Sequence, residues 1–164
     1  MAFVIVNIGS NKGQRRLNLS RAMRAIGEEF GPFELSHVVE SKPWGFDSTK
    51  PFLNVGMAFH SDLPPVEILH RLQDIEKLLS PAPHRDSDGR YIDRELDIDI
   101  VAIDREVIDS PELKVPHPHL PERDFFLVPL EELAPGWAHP ISGLSASEMI
   151  AALPPSTPES GSQP

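Results

Sequence analysis

Asp97 and Asp99 are the residues of this chain best suited to chemistry. They stand at i and i+2 of LDIDIVAI, Leu96 to Ile103, whose alternation predicts a β-strand. On a strand both carboxylates point to one face, roughly 6.5–7 Å apart at the backbone, while Leu96, Ile98 and Ile100 anchor the other face in a core. Two acids side by side on a rigid element repel unless a cation sits between them. Such a pair suits Mg²⁺, which takes one or two carboxylates together with substrate phosphates. Two ions ~3.5–4 Å apart would clamp both ends of a phosphoryl displacement. The plain alternative is a solvated strand face that carries acids, with Glu95 of the same parity. Basic neighbours weigh against it: Arg94 just before the pair, Arg85 and Arg90 in the preceding loop, His117 and Arg123 after it. Strict alternation sends Arg94 to the face opposite Asp97, so the strand is expected to begin after Arg94.

Charge narrows the partners. Twenty-five acidic residues against fifteen basic ones give −10, and no Lys/Arg run is long enough to track a phosphate backbone, which excludes nucleic acid as a partner. An acidic protein with an anionic substrate must offset repulsion locally, through metal ions or a few placed arginines. The absence of cysteine excludes disulfides, thiolate zinc sites and cysteine nucleophiles, and it fits a cytoplasmic setting. No apolar run approaches the roughly 20 residues that cross a bilayer, so no membrane is expected as a partner. Met1 to Ile8 is apolar but lacks the basic region and cleavage site of a signal peptide. GSNKG, Gly9 to Gly13, lacks the P-loop spacing, and neither the dinucleotide fingerprint nor the protein-kinase marks occur. It reads as a strand-to-helix turn.

The elements that must hold these residues follow from periodicity. A chain of 164 residues, 40% apolar, suits one compact domain with its own core. FVIVNI, Phe3 to Ile8, predicts a strand buried on both faces. Leu19, Met23, Ile26 and Phe30 form one stripe of a helix over about Leu17 to Glu29, stopped by Gly31-Pro32. Glu34 to Ser41 and Phe52 to His60 read as strands, separated by a loop from Lys42 to Pro51. Pro64 and Pro65 open a second helix carrying Ile68, Leu72, Ile75 and Leu79. Ser80 to Tyr91 is a long breaker-rich loop, of the kind that closes over ligands. With Leu96 to Ile103 the order becomes β-α-β-β-α-β, an α+β, ferredoxin-like core. Short helices are expected near Pro121 to Leu127 and Ser145 to Leu153, the latter with capping-box spacing between Ser145 and Glu148. The domain is thus set at 1–153, and 154–164 has the composition of a disordered tail.

Five segments carry a family resemblance: GSN (Gly9 to Asn11), SKPWG (Ser41 to Gly45), FLN (Phe52 to Asn54), RELDIDI (Arg94 to Ile100) and VPHPHLPERDF (Val115 to Phe125). Together, in this order, they resemble the 6-hydroxymethyl-7,8-dihydropterin pyrophosphokinases of folate biosynthesis. The resemblance implies transfer of the terminal pyrophosphate of ATP to the hydroxymethyl group of the pterin, giving AMP. Asp97 and Asp99 would hold two Mg²⁺ ions, with Arg94 beside them in the catalytic group. Gln73, Glu76, Arg85, Arg90, Arg94, Ile100, His117 and Arg123 would meet ATP; Ser41, Pro43, Trp44, Phe52, Asn54 and Phe125 would meet the pterin. A monomer with small-molecule partners is implied. The sequence departs from the family where Ile92-Asp93 replaces a usual Gly-Pro, and where the arginines of the preceding loop are few. Two other functions fit the residues taken one by one: a ferredoxin-like metabolite-binding domain without catalysis, and a metal-dependent phosphohydrolase.

Overall fold

The computed structural model describes residues 1–41, 51–80 and 95–154. The loops expected over Lys42 to Pro51 and Ser80 to Tyr91, and the expected tail, fall almost wholly outside the described residues. In chain order the elements are β1 (Ala2–Ser10), α1 (Arg15–Phe30), β2 (Phe33–Leu35), β3 (Val39–Ser41), β4 (Phe52–Ser61), α2 (Pro65–Leu79), β5 (Asp97–Ile103), β6 (Ile108–Asp109), β7 (Lys114–Val115), α3 (Asp124–Leu133) and α4 (Ala146–Ala151), with a 3-10 turn at Leu120–Glu122 before α3. Among the described residues the main sheet runs β2-β4-β1-β5, with β3 also on β4, and every pairing in it is antiparallel. That is the ferredoxin-like strand order, so the expected α+β core is present.

Both faces of the sheet are covered, which is why β1 reads as a continuous apolar run. Val4, Val6 and Ile8 pack with Leu19, Ala22 and Ile26 of α1 and Ile68 and Leu72 of α2. Ile5, Ala58, Val101 and Ala102 pack on the other face with Phe126, Leu127 and Leu130 of α3 and with Met149 of α4. The stripes expected on α1 and α2 therefore face the core.

Three local departures from the expected elements have physical causes. The strand expected over Glu34 to Ser41 is two short strands. Phe33 pairs with Phe59 and Leu35 with Met57, whereas Val39 pairs with Asn54, so one extra residue is accommodated between them. The break is fastened: Ser36 Oγ accepts the Gly56 N–H at 2.8 Å, and Glu132 accepts the His37 N–H at 3.0 Å. The clean alternation of LDIDIVAI also stops early. Val6 pairs with Ile100 but Ile5 with Ala102, which leaves Val101 as a bulge. Ile103 instead of Ala102 then returns to the α1–α2 core. Finally, α3 continues through Pro129 to Leu133, well past the expected end at Leu127. The capping box of α4 is formed as expected, with Ser145 Oγ accepting the Glu148 N–H and Glu148 accepting the Ser145 N–H.

Close contact between α3 and the sheet is set at Gly56. A Cβ there would lie 2.6 Å from Pro129 Cβ and 3.1 Å from Leu133 Cδ1, so any side chain would push the helix away. The start of α3 carries Arg123, Phe125 and Phe126, so its seating fixes these residues too. Gly56→Ala is expected to lower stability by about 1–3 kcal/mol through overpacking. Urea titration should show a lower midpoint with an unchanged slope; an unchanged midpoint would mean that α3 has room to spare.

Candidate active site

Cross-strand register builds the site. Gly9 of β1 lies opposite Asn54 of β4 on one side and Asp97 of β5 on the other; Asn7 lies between Gly56 and Asp99 in the same way. Directly paired residues project to the same face of a sheet. Asn54, Gly9 and Asp97 therefore form one row, and Gly56, Asn7 and Asp99 the next. Farther along this face lies the core beneath α3 and α4. The polar row occupies the end where α3 begins.

Gly9 keeps the row flat. A Cβ there would sit 3.0 Å from Asn54 Oδ1 and 3.3 Å from Phe52 Cδ1, so glycine lets both side chains lie across β1. Asn54 is almost fully buried and is hydrogen-bonded on both ends: its Oδ1 accepts from Asn7 Nδ2 at 3.2 Å, and its Nδ2 donates to Ser41 Oγ at 2.8 Å. Phe52 is buried beside it, and half-buried Phe125 stands at the start of α3 with its ring edge-on to Phe126 at 5.0 Å. The turn after β1 is stitched by Asn18, whose amide donates to Ser10 Oγ at 3.2 Å and to the Lys12 carbonyl at 3.0 Å.

A cleft of about 290 Å³ opens beside β5, the outer strand of the sheet among the described residues, and it is lined by Gln73 and Glu76 of α2, by Asp97 to Ile100, and by Leu113 and His117. Glu76 Oε2 accepts the Ile98 N–H at 2.7 Å, which anchors α2 to the strand edge. The Val101 bulge anchors the other wall, since its carbonyl accepts the His117 N–H at 2.9 Å. This brings His117 Nε2 to 3.9 Å from Asp99 Oδ1. Burial, followed by the charges of Arg123 and His119, pushes His117 down to about 4, against the pull of Asp97. The ring is therefore neutral near pH 7, and its contact with Asp99 is no ion pair. His117 Nδ1 accepts the His119 N–H at 3.1 Å, which leaves the ring proton on Nε2, the nitrogen nearer Asp99. Arg123 sits at the α3 N-terminus with its guanidinium 5.0 Å from the Phe126 ring centre and 5.5 Å from that of Phe125. Both distances suit cation–π contact.

The expected residues that are described thus fall into three groups. Gln73, Glu76, Asp97, Asp99, Ile100 and His117 share the cleft, while Ser41, Phe52 and Asn54 share the polar end of the sheet face. Arg123 and Phe125 stand together at the start of α3. Pro43, Trp44, Arg85, Arg90 and Arg94 lie outside the described residues. Lys114 and Glu112 also line the cleft, although neither was expected from the sequence. They reach it on the two-residue strands β6 and β7 and their connection, too short to leave a periodic signal. Asn7 and Gly9 were missed as site residues because their importance lies in partners on other strands.

The model of the 7,8-dihydro-6-hydroxymethylpterin-pyrophosphokinase family matches residues 5–135. The chain belongs to this family. It is 42% identical to a 2-amino-4-hydroxy-6-hydroxymethyldihydropteridine pyrophosphokinase of Porphyromonas gingivalis, over 85% of this chain and 95% of that protein. It is 39% identical to the enzyme of the same name from Aquifex aeolicus, over 86% of each. A crystal structure of Plasmodium falciparum HPPK-DHPS superposes with a TM-score of 0.71 at 12% identity, covering 92% of this chain and 42% of that one. Such low identity speaks for the fold alone, and the chain spans less than half of that larger protein. The pyrophosphokinase class and the fold expected from the sequence are both borne out.

Gly9→Ala tests the flatness of the row. It is expected to keep the fold at a cost of about 1 kcal/mol and to shift the Asn54 side-chain amide signals in an NMR spectrum. Signals at their wild-type positions would show that the space above Gly9 is slack.

Proposed function

We propose that this chain transfers pyrophosphate from ATP, its co-substrate, to 6-hydroxymethyl-7,8-dihydropterin, with Asn54 and its neighbours holding the ring and the β5 cleft holding the nucleotide. One observation carries this reading: β1 alone separates Asn54 from Asp97. Two strand spacings of ~4.8 Å put a ring seated on Asn54 within about 10 Å of the carboxylates. A single substrate could therefore be read at one end and react at the other.

In the transfer, the hydroxymethyl oxygen forms a bond to the β-phosphorus of ATP. The bond from that phosphorus to the α–β bridging oxygen breaks, AMP leaves, and the alcohol proton passes to solvent. No protein nucleophile is needed, so the work is positioning and charge neutralisation. Asp97 and Asp99 are half-exposed hard oxygen donors on one face of a rigid strand, a donor set that fits Mg²⁺. We assign them two Mg²⁺ ions, which would neutralise triphosphate charge when bound. His117, held neutral, offers an N–H without adding a charge, and Arg123 offers a fixed cation. Asn54 supplies one donor and one acceptor to an amide-like ring edge, and Phe52 and Phe125 supply apolar surface for the ring faces. In the same reading Ser41, Pro43 and Trp44 complete the ring pocket. Gln73, Glu76 and Ile100 take the nucleotide, while Arg85, Arg90 and Arg94 take phosphates, with Arg94 in the catalytic group. The reading extends to a cytoplasmic monomer with a single domain over 1–153. Among the described residues no helix is long and apolar enough to cross a membrane.

Release of AMP from ATP should depend on the pterin and on Mg²⁺. ATP loss without pterin would favour a phosphohydrolase, and no AMP at all a binding module. Asp97→Ala or Asp99→Ala should abolish transfer while the fold survives, because like charges are removed; near-normal AMP release by either variant would end the two-metal reading. Asn54→Ala and Phe125→Ala should weaken pterin binding far more than ATP binding in separate titrations. Equal losses for both ligands would make these residues general core.

A further inference from the structure

Asn7 is an anomaly in β1. Val4 to Ile8 is otherwise entirely apolar, and Asn7 is 3% exposed in the middle of the sheet. Its Nδ2 donates to Asn54 Oδ1 at 3.2 Å, while its own Oδ1 is buried without a hydrogen-bond partner among the described residues. A buried polar atom left unpaired is costly, so a strand shaped for stability alone would carry an apolar residue here. Costs of this kind concentrate where function constrains the sequence.

We infer that Asn7 is a positioning residue that fixes the orientation of the Asn54 amide and thereby sets which hydrogen-bond pattern the ring pocket recognises. The inference rests on the pterin reading of the Asn54 face. An Asn amide can turn over, exchanging its oxygen and its NH₂ group at little intrinsic cost, and the two orientations recognise opposite ring edges. Ser41 cannot choose between them, because a hydroxyl both donates and accepts. Asn7 narrows the choice: its amide lies against Asn54 with the NH₂ donating at 3.2 Å, so Asn54 cannot turn over unless Asn7 turns with it. The Asn54 NH₂ then falls to Ser41, at 2.8 Å. With these two bonds formed, Asn54 retains one acceptor site on oxygen and one N–H, in a fixed order. An amide-like ring edge needs such an ordered pair. Gly9 supports the arrangement, since a Cβ there would press on that same Asn54 oxygen.

The test compares wild type with Asn7→Leu, which keeps the volume without a donor, and Asn7→Ser, whose hydroxyl is too short to reach Asn54. Rates of AMP release are measured against each substrate at saturating levels of the other, and thermal midpoints are recorded. Both variants should raise KM for the pterin about tenfold, the factor given by a loss of about 1.4 kcal/mol. Their KM for ATP and their kcat at saturation should stay within about twofold of wild type. Should Asn7→Leu fail to fold, Asn7→Ser carries the comparison. A wild-type pterin KM in the folded variants would overturn the inference, as would equal rises in both KM values, which a merely structural role would give. A wild-type protein whose AMP release ignores pterin would instead sink the pterin reading itself.

Discussion

Antiparallel register across β4, β1 and β5 is the constraint on which the site depends. Side chains alternate with a period of two, so a slip by one residue would send every polar group of the site into the α1–α2 core. The slip is forbidden by burial. Val4, Val6 and Ile8 fill one core, and Ile5 fills the other at 2% exposure. No shifted register satisfies both. The same double burial that stabilises β1 therefore holds Asn54 beside Gly9, and Gly9 beside Asp97. Asn54 and the two carboxylates are thus positioned by packing across the sheet.

Two irregularities make this regular sheet usable. The Val101 bulge reverses facing beyond Ile100, so Val101 and Ala102 both join the second core. It also turns the Val101 carbonyl outward to accept the His117 N–H. Without the bulge, the segment carrying His117 would lack this hydrogen bond to β5. Gly56 permits the second adjustment, because α3 can then approach the sheet closely enough to set Arg123 and Phe125 at the polar end of the face. Bulges next to active sites commonly re-aim the residues beyond them, and here the re-aimed groups are a neutral imidazole and a segment leading to a cation.

Much of this was legible in the sequence, and the remainder has identifiable reasons for being hidden. Asp97 and Asp99 were readable because period two assigns faces within one strand. The stripes on α1 and α2 were readable because period 3.6 does the same within one helix. Pairing between strands has no such local trace, so nothing in FVIVNI or GSN marks Asn7 or Gly9 as a neighbour of Asn54. VAI is equally apolar whether it alternates or bulges. Pro129 suggests a helix end, yet α3 runs through it, because burial of Phe126, Leu127, Pro129 and Leu130 against the sheet outweighs the missing N–H. The strand over Glu34 to Ser41 split because Ser36 binds the Gly56 N–H from the side.

The placement of the carboxylates on an outer strand resolves a conflict of requirements. An edge strand offers unpaired N–H and C=O groups, which invite association with another chain unless they are covered. Covering them completely would also close the cleft onto Asp97 and Asp99. Among the described residues the edge is covered at two points. Glu76 accepts the Ile98 N–H from the α2 side, and the His117 N–H caps the Val101 carbonyl from the other. Between them the cleft stays open. A carboxylate at one cap, however, adds to an already acidic wall in a chain of net charge −10. Committing the Glu76 charge to a backbone N–H lessens its repulsion toward a polyphosphate, while Arg123 supplies a fixed positive charge near His117. Glu76 thus serves both the guard on the strand edge and the electrostatics of the cleft.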